Sequence, residues 1–146
     1  MLPSGQAKKQ GYAEVIYLDA AEEKFIEEVG AANFFAIYGN KLITPKLTGS
    51  ILPGITRDSV LFLAKNKLGM EIEERSISID QALKADEVFC AGTAAIISPI
   101  GSIKYQNKEY DFSESNVGRI TRQLYDILTG IQFGEIDDEY GWITKL

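Results

Sequence analysis

ILPGITRDSV, residues 51–60, compresses a strand end, a turn and a helix start into one short stretch. Ile51 and Leu52 end an extended segment, and Pro53-Gly54 makes a sharp turn. A helix then runs through TRDSVLFLAKNKLG (56–69), where Val60, Leu61, Leu63, Ala64 and Leu68 keep a near-helical period. Gly69 suits the residue that stops it. A helix N-terminus offers unpaired N–H groups and the positive end of the helix dipole, so Gly54-Ile55-Thr56 is a candidate anion site. The same residues admit a plainer reading, in which Thr56 caps the helix and Pro-Gly only turns the chain. Arg57 and Asp58 read as first-turn surface residues.

Working outward, AEVIYLD (13–19) reads as a strand. KFIEEVGAANFFAIYGNKLITPK (24–46) reads as a meander that turns at Tyr38-Gly39-Asn40-Lys41, a Gly-Asn hairpin signal. EIEERSIS (71–78) alternates like a strand, and SIDQALKA (78–85) is a short helix with Ser78 or Asp80 near its cap. EVFCAGTAAIISPIGSIKY (87–105) is an apolar strand, a Gly-Thr break and a second strand; KEYDF (108–112) closes a hairpin. NVGRITRQLYDILTGIQFG (116–134) is the last helix, and EIDDEYGWITKL (135–146) is a loop or extended tail. The opening MLPSGQAKKQGYAE looks like a helix end already under way, either a cropped start or a frayed terminus.

The composition narrows the chemistry. The 146 residues suffice for one domain with a core, and 45% hydrophobic with 25% charged residues is ordinary for a globular protein. A net charge of −6 argues against nucleic acid as a partner, because phosphate backbones need clustered Lys and Arg. It leaves room for a phosphorylated small molecule held by backbone amides. Histidine is absent and Cys90 is the single cysteine, which excludes an internal disulfide, Cys/His zinc sites and His-activated nucleophiles. No apolar run approaches the roughly 20 residues of a membrane helix, and the first residues lack a signal peptide's apolar centre. A cytoplasmic setting without membrane contact is the expectation.

Two further segments carry candidate chemistry. AGTAA (91–95) interrupts two apolar strands and forms either a second amide-lined anion site or a structural bulge. FIEEVGAAN (25–33) sets Glu27 beside Glu28 between apolar residues. Strand neighbours point to opposite faces, so one of the two faces the core side and needs a partner there; the alternative is an exposed pair on an edge strand. Cys90 reads as an inert core thiol and Trp142 as a packing anchor. None of the lysines has the apolar flanks expected of a desolvated nucleophile.

IEEVGAAN (26–33), LPGITRD (52–58) and GTAA (92–95), in that order and spacing, resemble the C-terminal half of branched-chain amino acid aminotransferases, which are fold-type IV enzymes dependent on pyridoxal phosphate. GYAEVIYLDA (11–20) and GIQFGEIDDEYGW (130–142) extend the resemblance over nearly the whole chain. It implies one domain over 1–146, of α/β (α+β) type: the D-amino acid aminotransferase-like C-terminal domain, with mixed strands in a barrel-like sheet and flanking helices. It assigns Glu28 to the pyridinium nitrogen of the cofactor and Leu52 to packing against its ring. Gly54, Ile55, Thr56, Gly92 and Thr93 form its phosphate cradle, and Thr93 and Ala94 also meet the substrate carboxylate. It implies amino acid and 2-oxo acid substrates and a homodimer.

The departures from the family pattern bear on activity. The family's Schiff-base lysine sits in a K-x-G-G-N-Y motif that this sequence lacks, and the family's N-terminal domain has no counterpart here. The resemblance therefore implies a fragment that is inactive alone and binds cofactor weakly at best. GTAAIISP (92–99) carries no Cys-x-x-Cys, so no redox switch of the human type is implied. Two other readings share the features: another fold-type IV enzyme (a D-amino acid aminotransferase or aminodeoxychorismate lyase), or a non-catalytic binding or dimerising module.

Overall fold

The computed structural model describes residues 2–93, 96–112 and 117–143. Helix α1 (Leu2–Lys9) is followed by strands β1 (Ile16–Leu18), β2 (Ile26–Val29), β3 (Ala32–Tyr38) and β4 (Lys41–Thr44). Then come helix α2 (Ile55–Asn66), strand β5 (Glu71–Glu74), the short helix α3 (Ile79–Ala82) and strands β6 (Glu87–Gly92) and β7 (Ile96–Pro99). Strands β8 (Ser102–Tyr105) and β9 (Lys108–Asp111) form a separate hairpin, and helix α4 (Arg119–Gln132) follows. No helix among the described residues is long and apolar enough to cross a membrane.

β3 organises the seven-stranded sheet. Along one edge it pairs with β6 from Asn33 to Ile37. The other edge is shared: β2 pairs with Ala32 and Asn33, and β4 pairs from Ala36 onward. The sheet therefore forks between Asn33 and Ala36. The Gly39-Asn40 turn closes β3 onto β4 as a two-residue loop, with Gly39 at φ +58°. β4 and β5 are parallel because α2 carries the chain across between them; the other named strand pairs are antiparallel.

The alternation of β3 divides its side chains between two cores. Phe35 and Ile37 join Phe89, Val60, Leu63, Leu124 and Leu128 beneath α2 and α4, with the Phe35 and Phe89 rings stacked at 4.8 Å. Phe34 and Ala36 pack on the opposite face with Ile26, Ile77, Ile79 and Val88. Each fully buried Leu, Ile or Phe contributes roughly 1.5–3 kcal/mol over leaving it exposed.

Several expected elements shift. The helix expected over 56–69 is Ile55–Asn66, and Gly69 takes φ +64° beyond its C-cap Lys67. The strand expected over 71–78 ends at Glu74, leaving Ser78 to bridge Phe25 and to cap α3 through a box with Gln81. The stretch 87–105 holds three strands rather than two, because the chain breaks again between Pro99 and Ser102. α4 starts at Arg119, with Ser115 and Asn116 outside the described residues. Glu87, on β6, reaches its first turn: the carboxylate accepts from the Thr121 amide (2.9 Å) and hydroxyl (2.8 Å) and from the Ile120 amide (3.2 Å). That carboxylate does what the N-cap Gly118 has no side chain to do.

Candidate functional site

The fork is where Glu28, Leu52, Gly54 and Gly92 of the expected site meet. The segment from Pro45 to Gly54 leaves β4, crosses the gap and delivers the chain to α2. Its turn is tied to β2 and β3 just where β3's shared edge passes from β2 to β4. The Leu52 amide donates to Glu28 Oε1 at 2.9 Å, and the Leu52 carbonyl accepts from Asn33 Nδ2 at 3.0 Å. Glu28 and Asn33 are direct cross-strand partners, so they share a face.

Glu27 and Glu28 do not divide between two faces as simple alternation predicts. The β1–β2 register slips between Tyr17 and Leu18, whose partners are Glu28 and Ile26, so Glu27 is the extra residue of a bulge. Both carboxylates consequently reach the same loop, Glu27 accepting from Ser50 Oγ at 3.0 Å. The edge-strand alternative does not hold either, since β2 is paired on both sides.

The mouth of α2 is open. Its N-cap is Gly54, not Thr56, and no side chain caps it. The Asp58 amide is the first to find a carbonyl, that of Gly54 at 3.2 Å. The amides of Ile55, Thr56 and Arg57 stand ahead of it with no acceptor among the described residues, and the helix dipole adds to their attraction for an anion. The Leu52 and Ile55 side chains beside them are 67% and 86% exposed. A Cβ on Gly54 would lie 2.7 Å from Asn33 Oδ1, so the turn needs glycine for close approach.

The third segment arrives through β6. Ala91 is the partner of Asn33 on the opposite edge of β3, and Gly92 lies against Ala32, where an added Cβ would sit 3.4 Å from Ala32 Cβ. Thr93 follows, exposed, and Ala94 lies outside the described residues. Thus Glu28, Leu52, Gly54 and Gly92 all converge on Asn33 and its neighbour Ala32.

Arg57 corrects the surface reading of that position. It is 1% exposed, with Nη2 donating to Glu74 Oε1 at 2.7 Å and to the Pro45 carbonyl at 3.2 Å, while its buried Nε has no partner among the described residues. Arg57 thus pins the first turn of α2 to the end of β5. The signal was present in the sequence: Arg57, Val60 and Ala64 lie on one helical stripe. Asn33 was also missed as a site residue, although it holds an inward position among Phe35 and Ile37. Cys90 is buried, and desolvation pushes its thiol up to about 11. Trp142, 38% exposed, packs edge-on to Phe62 and near Tyr140.

Lys41 and Lys67 are both held protonated above the ordinary lysine range, by hydrogen bonds to Glu73 and Glu139 respectively. Neither adjoins the fork. A hollow of about 790 Å³ lies between α1 and the β7–β8 region, with Tyr12, Cys90 and Lys104 on its wall.

The fold is of the α+β, fold-type IV aminotransferase kind, a mixed sheet with flanking helices. The amino-transferase class IV family model matches residues 1–103. A probable branched-chain-amino-acid aminotransferase of Staphylococcus aureus is 49% identical over 148 aligned positions, covering 97% of this chain and 41% of the relative. The crystal structure of the branched-chain amino acid aminotransferase of Escherichia coli superposes with a TM-score of 0.86 at 37% identity, covering 97% of this chain and 44% of the other. The enzyme of Thermobaculum terrenum in PLP form (holo form) gives the same TM-score, identity and coverages. This chain belongs to the class IV aminotransferase family. It spans less than half the length of these relatives.

Proposed function

We propose that this chain is the cofactor-holding part of a branched-chain amino acid aminotransferase, which exchanges an amino group between leucine, isoleucine or valine and 2-oxoglutarate. The observation that carries the reading is the Leu52 turn, which ties the Glu28 carboxylate directly to the open mouth of α2. A ligand with an anion at one end and a protonatable ring nitrogen at the other suits that arrangement, and pyridoxal phosphate is such a ligand. The relatives' names support the amino acid class.

The residues present fit the cofactor. The amides of Ile55 and Thr56 and the Thr56 hydroxyl would hold the phosphate, with Gly92 and Thr93 arriving from β6. The exposed Leu52 side chain would pack against the ring. Glu28 would keep a proton on the ring nitrogen, its orientation fixed by the Leu52 amide. Bound in this way the cofactor supplies an electron sink that stabilises a carbanion next to nitrogen. Thr93 and Ala94 would meet the substrate carboxylate.

The three segments contribute no lysine to the site, so this chain alone is proposed not to transaminate. Borohydride reduction of the protein with pyridoxal phosphate, followed by peptide mapping, tests this. Scattered substoichiometric labelling without leucine turnover is expected. A stoichiometric adduct on one lysine together with turnover would refute it. The exposed Ile55, Phe62 and Trp142 further support self-association as a dimer, which sedimentation reads directly.

A further inference from the structure

We propose that Asn33 is a positioning residue that sets the spacing between the Glu28 carboxylate and the amide cradle at the mouth of α2. What the two ends hold rests on the cofactor reading above, whereas the spacing itself is a matter of contacts. Asn33 is the last residue of β3 to pair with β2, at the point where the sheet forks. It lies opposite Glu28 on one side and Ala91 on the other. Its Nδ2 grips the Leu52 carbonyl at 3.0 Å while the Leu52 amide grips Glu28 at 2.9 Å. Its Oδ1 fills the space beside Gly54, the N-cap of α2. The carboxylate end and the amide end of the site are therefore joined through Leu52 and Gly54, and both rest on one carboxamide.

Burial makes this support stiff. Asn33 is 6% exposed, so its amide hydrogens must find acceptors inside the protein. A flipped carboxamide would set Oδ1 against the Leu52 carbonyl, two acceptors facing each other, so one orientation is enforced. The side chain is short and leaves little freedom for the turn to slide along the fork. A ligand that touches both ends of the site feels that spacing; a ligand that touches only the helix mouth does not.

The test uses the full chain with Asn33→Ala and Asn33→Asp, read by amide hydrogen exchange and by binding of pyridoxal 5′-phosphate and of inorganic phosphate. In the ligand-free protein the Leu52 amide should exchange at least about tenfold faster in both variants than in wild type, with Phe35 and Phe89 of the β3–β6 ladder unchanged. Asp keeps the shape but cannot donate to Leu52, so it should match Ala in exchange; its added charge excludes it from the binding arm. In Asn33→Ala the dissociation constant for pyridoxal 5′-phosphate should rise about tenfold and that for inorganic phosphate by less than about twofold. Unchanged Leu52 exchange overturns the proposal. So does a general rise in exchange with both ligands weakened in proportion, which is the mark of a merely structural residue. If the wild-type chain binds inorganic phosphate but not pyridoxal 5′-phosphate, the cofactor reading fails instead, and the exchange result alone decides whether Asn33 holds the turn.

Discussion

Gly54→Ala sets opposing effects against each other. Gly54 has φ −68° and ψ 141°, which alanine adopts without strain. Stiffening the unfolded chain would then stabilise the protein by about 0.4–1 kcal/mol. Against this, the new Cβ would lie 2.7 Å from Asn33 Oδ1, inside any real contact distance. A flexible surface side chain would yield cheaply, but Asn33 is buried and tied to Leu52. Moving it sacrifices a hydrogen bond worth about 0.5–1.5 kcal/mol and crowds a packed site at about 1–3 kcal/mol. Alanine is also a poorer N-cap than glycine. The net expectation is a loss of about 1–2 kcal/mol in urea unfolding at unchanged m-value. The cap and entropy terms survive in an Asn33→Ala background whereas the clash does not. The double-mutant cycle should therefore return a coupling of at least about 0.5 kcal/mol. A Gly54→Ala protein as stable as wild type, or one that loses the same amount in both backgrounds, would refute the reasoning.

Glu87→Ala should cost about 2 kcal/mol in urea unfolding, since it leaves the Ile120 and Thr121 amides and the Thr121 hydroxyl without their charged acceptor; a change below about 0.5 kcal/mol would contradict this capping role. Cys90, with its thiol raised from 9.0 to about 11 by burial, should react with a thiol reagent at pH 8 roughly 100-fold more slowly in the folded than in the urea-unfolded chain. Because that pKa is raised on folding, its contribution to stability is complete below pH 9 and is lost as pH rises toward 11. Asp138 has the opposite sign. The Trp142 and Ile143 amides draw its carboxyl below the ordinary 3.8, so its hold on the tail is full above that value and is lost as pH falls through the depressed one. The fluorescence of Trp142, the single tryptophan, should report that acid transition, and Asp138→Asn should remove it from the pH profile.

Local signals fixed what local chemistry controls. The Gly39-Asn40 turn, the helix after Pro53-Gly54 and the short helix capped by Ser78 follow from nearby residues, and they appear with ends shifted by a few positions. The three segments of the site were legible as motifs, but their meeting at Asn33 was not, because it depends on β3 sharing one edge between β2 and β4. The bulge at Glu27 is a matter of register, which strand alternation cannot foresee. Glu87 caps a helix more than thirty residues away, and only the tertiary fold brings it there. Arg57 was misread because its charge was given more weight than its place on an apolar stripe.

The most direct measurement is an amide NMR titration of the full chain with pyridoxal 5′-phosphate. If the fork at Asn33 is a cofactor site, the resonances of Glu28, Leu52, Ile55, Thr56, Gly92 and Thr93 shift together along one binding curve, and inorganic phosphate moves Ile55 and Thr56 but not Glu28. Shifts confined to the hollow around Tyr12, Cys90 and Lys104, or no saturable shift at the mouth of α2, would contradict it.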